Sequence, residues 1–241
     1  MRIEYPIRLQ SYLAKCGVGS RRGCETLITE GRVSVNNRIV LELGTKVNED
    51  DIVYVDDVLA EPAEQTLYFA LNKPRGFVCT NHDPNETAYA RDLIDIPERN
   101  LLFNVGRLDK DSQGLILFTN DGDWANLVMH PSSETEKEYI VKVDRDLAKK
   151  DLDDAYRGLV KPYRIRSYKL LSKKEVSVVL TEGKNREIRN MFDILGYEVK
   201  KLTRIRIGDI RLGDLKSGQF RRLTKGEVLG LERNARKGDA R

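Results

Sequence analysis

Arg107 and Asp109 stand two residues apart in the segment Gly106-Arg107-Leu108-Asp109-Lys110-Asp111-Ser112-Gln113-Gly114-Leu115. Apolar runs flank it, Leu101-Leu102-Phe103 before and Leu115-Ile116-Leu117-Phe118 after. Runs of this kind, bounded by Gly and polar residues, read as buried strands, so the pair falls on a short loop between core elements. A rigid scaffold can aim side chains placed there. An ionised carboxylate so held can act as a nucleophile or as a general base. Burying it without a partner is costly, so its position calls for a reason.

Further polar residues gather at the ends of apolar runs. Asn72-Lys73-Pro74-Arg75-Gly76 follows Leu71, and Tyr139 sits in the alternating strand Glu138-Tyr139-Ile140-Val141-Lys142-Val143. Lys184, Arg186 and Arg189 surround the start of a helix beginning near Asn185. Each has a plain structural reading as well: Lys73 and Arg75 as turn charges, Tyr139 as strand filling, Lys184 as a surface charge, Asp109 as a cap for a backbone N–H. Paired carboxylates at Asp109 and Asp111 would suit a sugar-acting hydrolase. Two residues of separation on a loop do not establish the spacing such enzymes need.

Several chemistries lack their usual support. His82 and His130 are the two histidines, and neither lies in a cluster at metal-ligand spacing, so no metal site is expected. Glu182-Gly183-Lys184 lacks the upstream glycine and the following Ser/Thr of a phosphate loop, and no Gly-x-Ser-x-Gly occurs. Cys16, Cys24 and Cys79 are odd in number and show no paired spacing; the first two fall on apolar helical faces, which predicts buried free thiols in a reducing cytoplasm. No apolar run approaches a membrane span, and the start lacks the apolar stretch of a secretory signal.

The elements that would carry these residues can be read from periodicity. Leu9, Tyr12, Leu13 and Cys16 follow helical spacing, with Gly17 as a stop. Ser20 reads as the N-cap of a second helix with Cys24, Leu27 and Ile28 inside and Gly31 at its end. Alternation around Asn36-Asn37 and again around Asp56-Asp57 predicts two hairpins. Beyond a polar, Pro-containing stretch at Ala60–Thr66, strands mix with three helices near Trp124–Met129, Lys150–Arg157 and Asn185–Leu195. In the last of these Ile188, Met191, Phe192 and Leu195 form one face. Arg233–Arg241 reads as a frayed basic tail.

Charge is uneven although the net value is only +4. From Lys200 onward there are 13 Lys and Arg against 5 Asp and Glu, and from Met1 to Lys46 there are 8 against 4. Basic ends suggest surfaces that meet a polyanion. Arg21 and Arg22 lie in the first turn of the second helix, where cations oppose the macrodipole. A bound phosphate would justify them, since free N–H groups and two guanidiniums then face one anion. Arg8, Lys15, Arg32 and Arg38 add to this surface. The pattern, and Gly-Val-Gly-Ser-Arg-Arg at Gly17–Arg22 in particular, resembles the alpha-L RNA-binding module of ribosomal protein S-four type over about Ile7 to Leu59.

Three blocks downstream resemble, in order, those of the RsuA/RluB family of rRNA pseudouridine synthases: Lys73–Gly76, Gly106–Leu115, and Glu182-Gly183-Lys184-Asn185-Arg186-Glu187-Ile188-Arg189. The resemblance implies an α+β chain with an alpha-L RNA-binding domain at residues 1–60 and a linker at 61–66. A larger, mainly antiparallel catalytic domain with flanking helices follows at 67–232, and then the tail at 233–241. It implies isomerisation of a uridine in ribosomal RNA, without a cofactor. Asp109 matches the catalytic aspartate, Arg107 the arginine that enters the helix stack, Tyr139 the tyrosine that stacks on the base, and Lys184 the basic partner of the aspartate. Lys73, Arg75, Arg186 and Arg189, with Arg8, Arg21, Arg22 and Arg32 of the N-terminal module, are then RNA contacts. Asn-Arg-Glu in the third block is similar to the large-subunit branch, and Asn190 departs from the family's usual Arg. The implied partner is a structured stem-loop of large-subunit RNA met by a cytoplasmic monomer. A small-subunit target and a non-catalytic ribosome-assembly role are the alternatives.

Overall fold

The computed structural model describes residues 3–63, 65–80 and 86–239, the side chains of 237–239 excepted. His82 lies outside the described residues. The chain divides into two units, Met1–Leu67 and Tyr68–Arg241.

In the first unit β1 (Ile7–Arg8) leads into α1 (Leu9–Lys15), then α2 (Arg21–Thr29), β2 (Val33–Val35), β3 (Arg38–Ile39), β4 (Lys46–Val47), β5 (Val53–Val55) and β6 (Val58–Leu59). Leu9, Leu13, Cys24, Ile28, Val33, Val47 and Val53 form its buried core. The Ser20 hydroxyl accepts the Gly23 N–H at 3.1 Å and starts α2. Gly17, at φ +78°, lets Val18 N–H return to Leu13 O and closes α1. Asn36 and Asn37 (φ 51° and 62°) turn β2 into β3, and Asp56 and Asp57 (φ 47° and 64°) turn β5 into β6. Two successive positive φ values match the twist of a two-residue hairpin, which Asn and Asp tolerate. The sheet runs β3-β2-β5-β6.

The second unit is built on one sheet. Its elements are β7 (Tyr68–Lys73), β8 (Phe103–Val105), β9 (Gln113–Thr119), α3 (Gly122–Met129), β10 (Lys137–Val143), α4 (Lys149–Arg157), β11 (Ser167–Ser172), β12 (Glu175–Leu180), α5 (Glu187–Ile194), β13 (Val199–Ile207), β14 (Ile210–Arg211), β15 (Phe220–Arg222) and α6 (Lys225–Asp239). The order is β11-β12-β10-β13-β9-β7-β15, with β14 beside β13 and β8 beside β9. Among the described residues the named strands pair antiparallel except β9 with β13, which touch in parallel at Gln113–Thr203 and Gly114–Arg204. Gly114 has φ +105°, and a Cβ there would fall 2.2 Å from the Arg204 carbonyl oxygen. Only glycine allows this crossing, and it is the seam on which the site is built.

The expected frayed tail needs correction. Arg233–Asp239 continues α6, because Val228, Leu231 and Ala235 make one apolar face at helical spacing. Leu231 packs with Trp124 and Val128 of α3, and both Leu231 and Ala235 are fully buried. The charges between them masked this face in the sequence.

Candidate active site

The Arg107–Asp109 loop springs from the end of β8 and returns as β9. Gly106 begins it at φ +74°, and the Asn104 side chain donates to the Gly106 carbonyl at 2.7 Å. Leu108 is buried and anchors the loop, while Arg107 on one side is exposed and Asp109 on the other keeps 36% of its side chain accessible. Ser112 N–H closes the turn onto Asp109 O at 3.0 Å. Lys110 O accepts Gly76 N–H at 2.7 Å, which ties the loop to the turn after β7. One apolar residue is thus driven inward and its two polar neighbours are displayed.

Guanidiniums from the start of α5 face the carboxylates. Arg186 Nη1 lies 3.6 Å from Asp109 Oδ2 and 3.4 Å from Asp111 Oδ1. Arg189 Nη2 lies 3.1 Å from Asp111 Oδ2 and also donates to the Asp111 carbonyl. Arg75, Gly76, Lys110, Asp111 and Arg186 line an open depression of ≈ 410 Å³ beside them. Tyr139 stands on β10 opposite Arg204 of β13, buried to 9% exposure. Its ring is 5.9 Å from the Arg204 guanidinium carbon.

Three sequence-based expectations change. Lys184 does not meet Asp109: its Nζ is 2.7 Å from Glu182 and donates to Pro162 O at 2.8 Å. The neighbouring Glu182 raises its pKa. Arg186, whose backbone turns left-handed (φ 47°) just before α5, takes the place beside Asp109 instead. Lys73 is not a free RNA contact. It is fully buried, and its Nζ donates to Pro74 O and Phe77 O, bracing the turn after β7; burial lowers its pKa. Arg189 is turned inward at 12% side-chain exposure, held by Asp111 and by Val199 O.

The other basic candidates differ in availability. Arg75 and Arg107 are exposed, as are Arg8, Arg21 and Arg22 in the first unit. Arg32 is exposed but engaged by Asp56 and Glu30. Asn190 donates to the Tyr163 hydroxyl at 3.1 Å and to Asn185 O, so its amide supports the chain before α5.

Burial also tunes groups around the site. Glu187 is buried and its carboxyl pKa is raised by that burial, while the Lys184 N–H it accepts at 3.1 Å works the other way. Lys137, two residues before Tyr139, is pushed down to about 8, first by burial and then by the charge of Arg204.

Sequence reasoning missed Arg204. It lies in the basic run Lys200-Lys201-Leu202-Thr203-Arg204-Ile205-Arg206 and looks like one surface charge among several. The available signal was alternation: Arg204 shares the inward face of Leu202.

A family model for RNA pseudouridylate synthase matches residues 67–193, and a model for the S4 domain matches residues 7–53. The ribosomal large subunit pseudouridine synthase B of Bacillus subtilis is 39% identical over 234 residues, covering 93% of this chain and 95% of that one. A dual-specificity RNA pseudouridine synthase RluF of Shigella flexneri is 39% identical over 234 residues, covering 93% of this chain and 78% of its own length. The crystal structure of a pseudouridylate synthase superposes with a TM-score of 0.68 at 29% identity, covering 93% of this chain and 99% of the other. An S4 domain followed by a domain that matches RNA pseudouridylate synthase defines an RNA-modifying enzyme. The chain belongs to the RsuA/RluB family of RNA pseudouridine synthases.

Proposed function

We propose that this enzyme isomerises a uridine in a structured stem-loop of large-subunit ribosomal RNA, working as a cytoplasmic monomer. Asp109 acts at the ribose of the target. The bond from C1′ to ring nitrogen N1 breaks, the uracil turns, and a bond from C1′ to C5 forms. C5 gives up its proton and N1 gains one, so atoms and electrons balance without a cofactor. Pseudouridine formation consumes nothing else.

The observation that carries this reading is the presentation of Asp109: half-buried beside Arg186 yet open to the surface, on a turn pinned by buried Leu108. Arg186 sets positive charge beside the carboxylate when RNA displaces water from the site. Flipping the uridine costs a few kcal/mol, and Arg107, exposed on the same loop, fills the gap it leaves. Tyr139 supplies an aromatic face for the detached ring, an interaction worth roughly 1–3 kcal/mol. Arg75, with Arg8, Arg21 and Arg22, contacts phosphates.

The name of the Bacillus subtilis relative favours the large subunit. Mapping pseudouridines in ribosomal RNA from cells lacking this protein tests that assignment. One missing modification in 23S RNA is expected, and a missing site confined to 16S RNA would reverse it.

A further inference from the structure

Arg204 has an unusual setting. It is 2% exposed, and no carboxylate pairs with it among the described residues. Its Nε donates to Leu115 O at 2.7 Å, and its Nη1 donates to Arg107 O at 3.3 Å and lies 3.5 Å from the Tyr139 hydroxyl. Its Nη2 is buried without a partner. A buried, unpaired charge with an orphaned N–H is a poor choice for stability alone; the orphan by itself costs about 1–3 kcal/mol. A core Leu or Met would fill the space more cheaply.

The contacts explain the choice. Arg107 O and Leu115 O belong to the two ends of the loop that displays Asp109, and Tyr139 lies on another strand. One planar guanidinium touches all three. The Gly114–Arg204 crossing brings the backbones close enough for this, and any side chain at Gly114 would push them apart.

We propose that Arg204 is a positioning residue for pseudouridine formation. It sets the distance between the aromatic face of Tyr139 and the Arg107–Asp109 loop, so that the detached uracil is held while its C5 comes round to the sugar. The inference rests on the roles proposed above for Asp109, Arg107 and Tyr139. Lys cannot replace it, because an ammonium is a point donor and lacks the planar fork needed to bridge loop and tyrosine.

The test uses the full chain with unmodified 23S and 16S RNA transcripts, and compares Arg204→Lys, Arg204→Met and Asp109→Asn with the parent. Single-turnover conversion, RNA affinity and thermal melting are measured for each. Both Arg204 variants are expected to lose about 10²-fold in rate, the scale of a misplaced reacting group, with affinity within about threefold of the parent. Arg204→Met should still fold and melt close to the parent, since the loss of its orphaned N–H offsets the loss of the bonds to Leu115 O and Arg107 O. Conversion by Arg204→Lys within about threefold of the parent would overturn the proposal. So would a loss of affinity that tracks the loss of rate, or failure of both variants to fold, either of which makes Arg204 a core residue only. Full activity in Asp109→Asn would instead sink the catalytic assignment and leave the Arg204 result readable by itself.

Discussion

Two helix N-termini in this molecule are built in opposite ways. α2 begins with a Ser20 cap and then Arg21 and Arg22, exposed cations in the turn where the helix dipole disfavours them. Its first turn holds no acidic residue. α5 begins with Glu187, a buried carboxylate in its first turn that accepts the Lys184 N–H. Its arginines are already committed, Arg186 to Asp109 and Asp111, and Arg189 to Asp111 and Val199 O. The first end is unfinished without an anion, whereas the second supplies its own. In the proposed function the first is a surface for binding RNA and the second is a frame that holds the Asp109 loop.

That contrast separates the effects expected of mutations. Arg186→Gln should slow single-turnover conversion by about 10–100-fold, the scale of losing one electrostatic contact at the reacting group, with a smaller change in affinity. An unchanged rate would mean that Arg186 does nothing for Asp109 beyond lying near it. The double change Arg21→Ala with Arg22→Ala should weaken RNA binding by about tenfold and flatten its salt dependence by one to two charges' worth. Conversion of bound RNA should continue at the parent rate in a single-turnover assay; a slower rate would mean that α2 does more than bind.

The smallest effect concerns stability. The Lys137 ammonium is held at about 8 in the folded chain, against an ordinary 10.5. Between those values the unfolded chain binds more protons, so stability rises with pH across that window. Below about 8 the folded chain bears the full cost of keeping this lysine charged. Lys137→Met should therefore raise stability near neutral pH by about 1 kcal/mol and flatten the rise between pH 8 and 10.5. Melting temperatures across that range check it, and a parent curve with no such rise would contradict the buried charge.

Local patterns made the N-terminal unit legible in the sequence. Its helices end at Gly17 and Gly31, its cap is Ser20, and its hairpins turn on Asn36-Asn37 and Asp56-Asp57, each a short-range rule. The Asp109 loop was legible for the same reason, since apolar runs flank it closely. What stayed hidden depends on long-range contacts. Arg186 rather than Lys184 faces Asp109 because of a left-handed residue before α5, which no pattern around Asn185 announces. Lys73 looks like a turn charge but is swallowed by the turn it braces. Arg204 gains its place from a parallel contact of two residues between strands far apart in sequence. α6 was lost because Arg233 and Arg236 outweighed the spacing of Val228, Leu231 and Ala235.

In the proposed function Asp109 performs the chemistry while the surfaces around it bind and position RNA. Asp109→Asn keeps the size and shape of the side chain and removes its charge. Single-turnover conversion and affinity, measured together on the same RNA transcript, separate the two roles. Conversion is expected to fall by at least about 10³-fold, as for loss of an essential nucleophile or base, with affinity within about threefold of the parent. Conversion at the parent rate, or affinity lost in step with conversion, would contradict it.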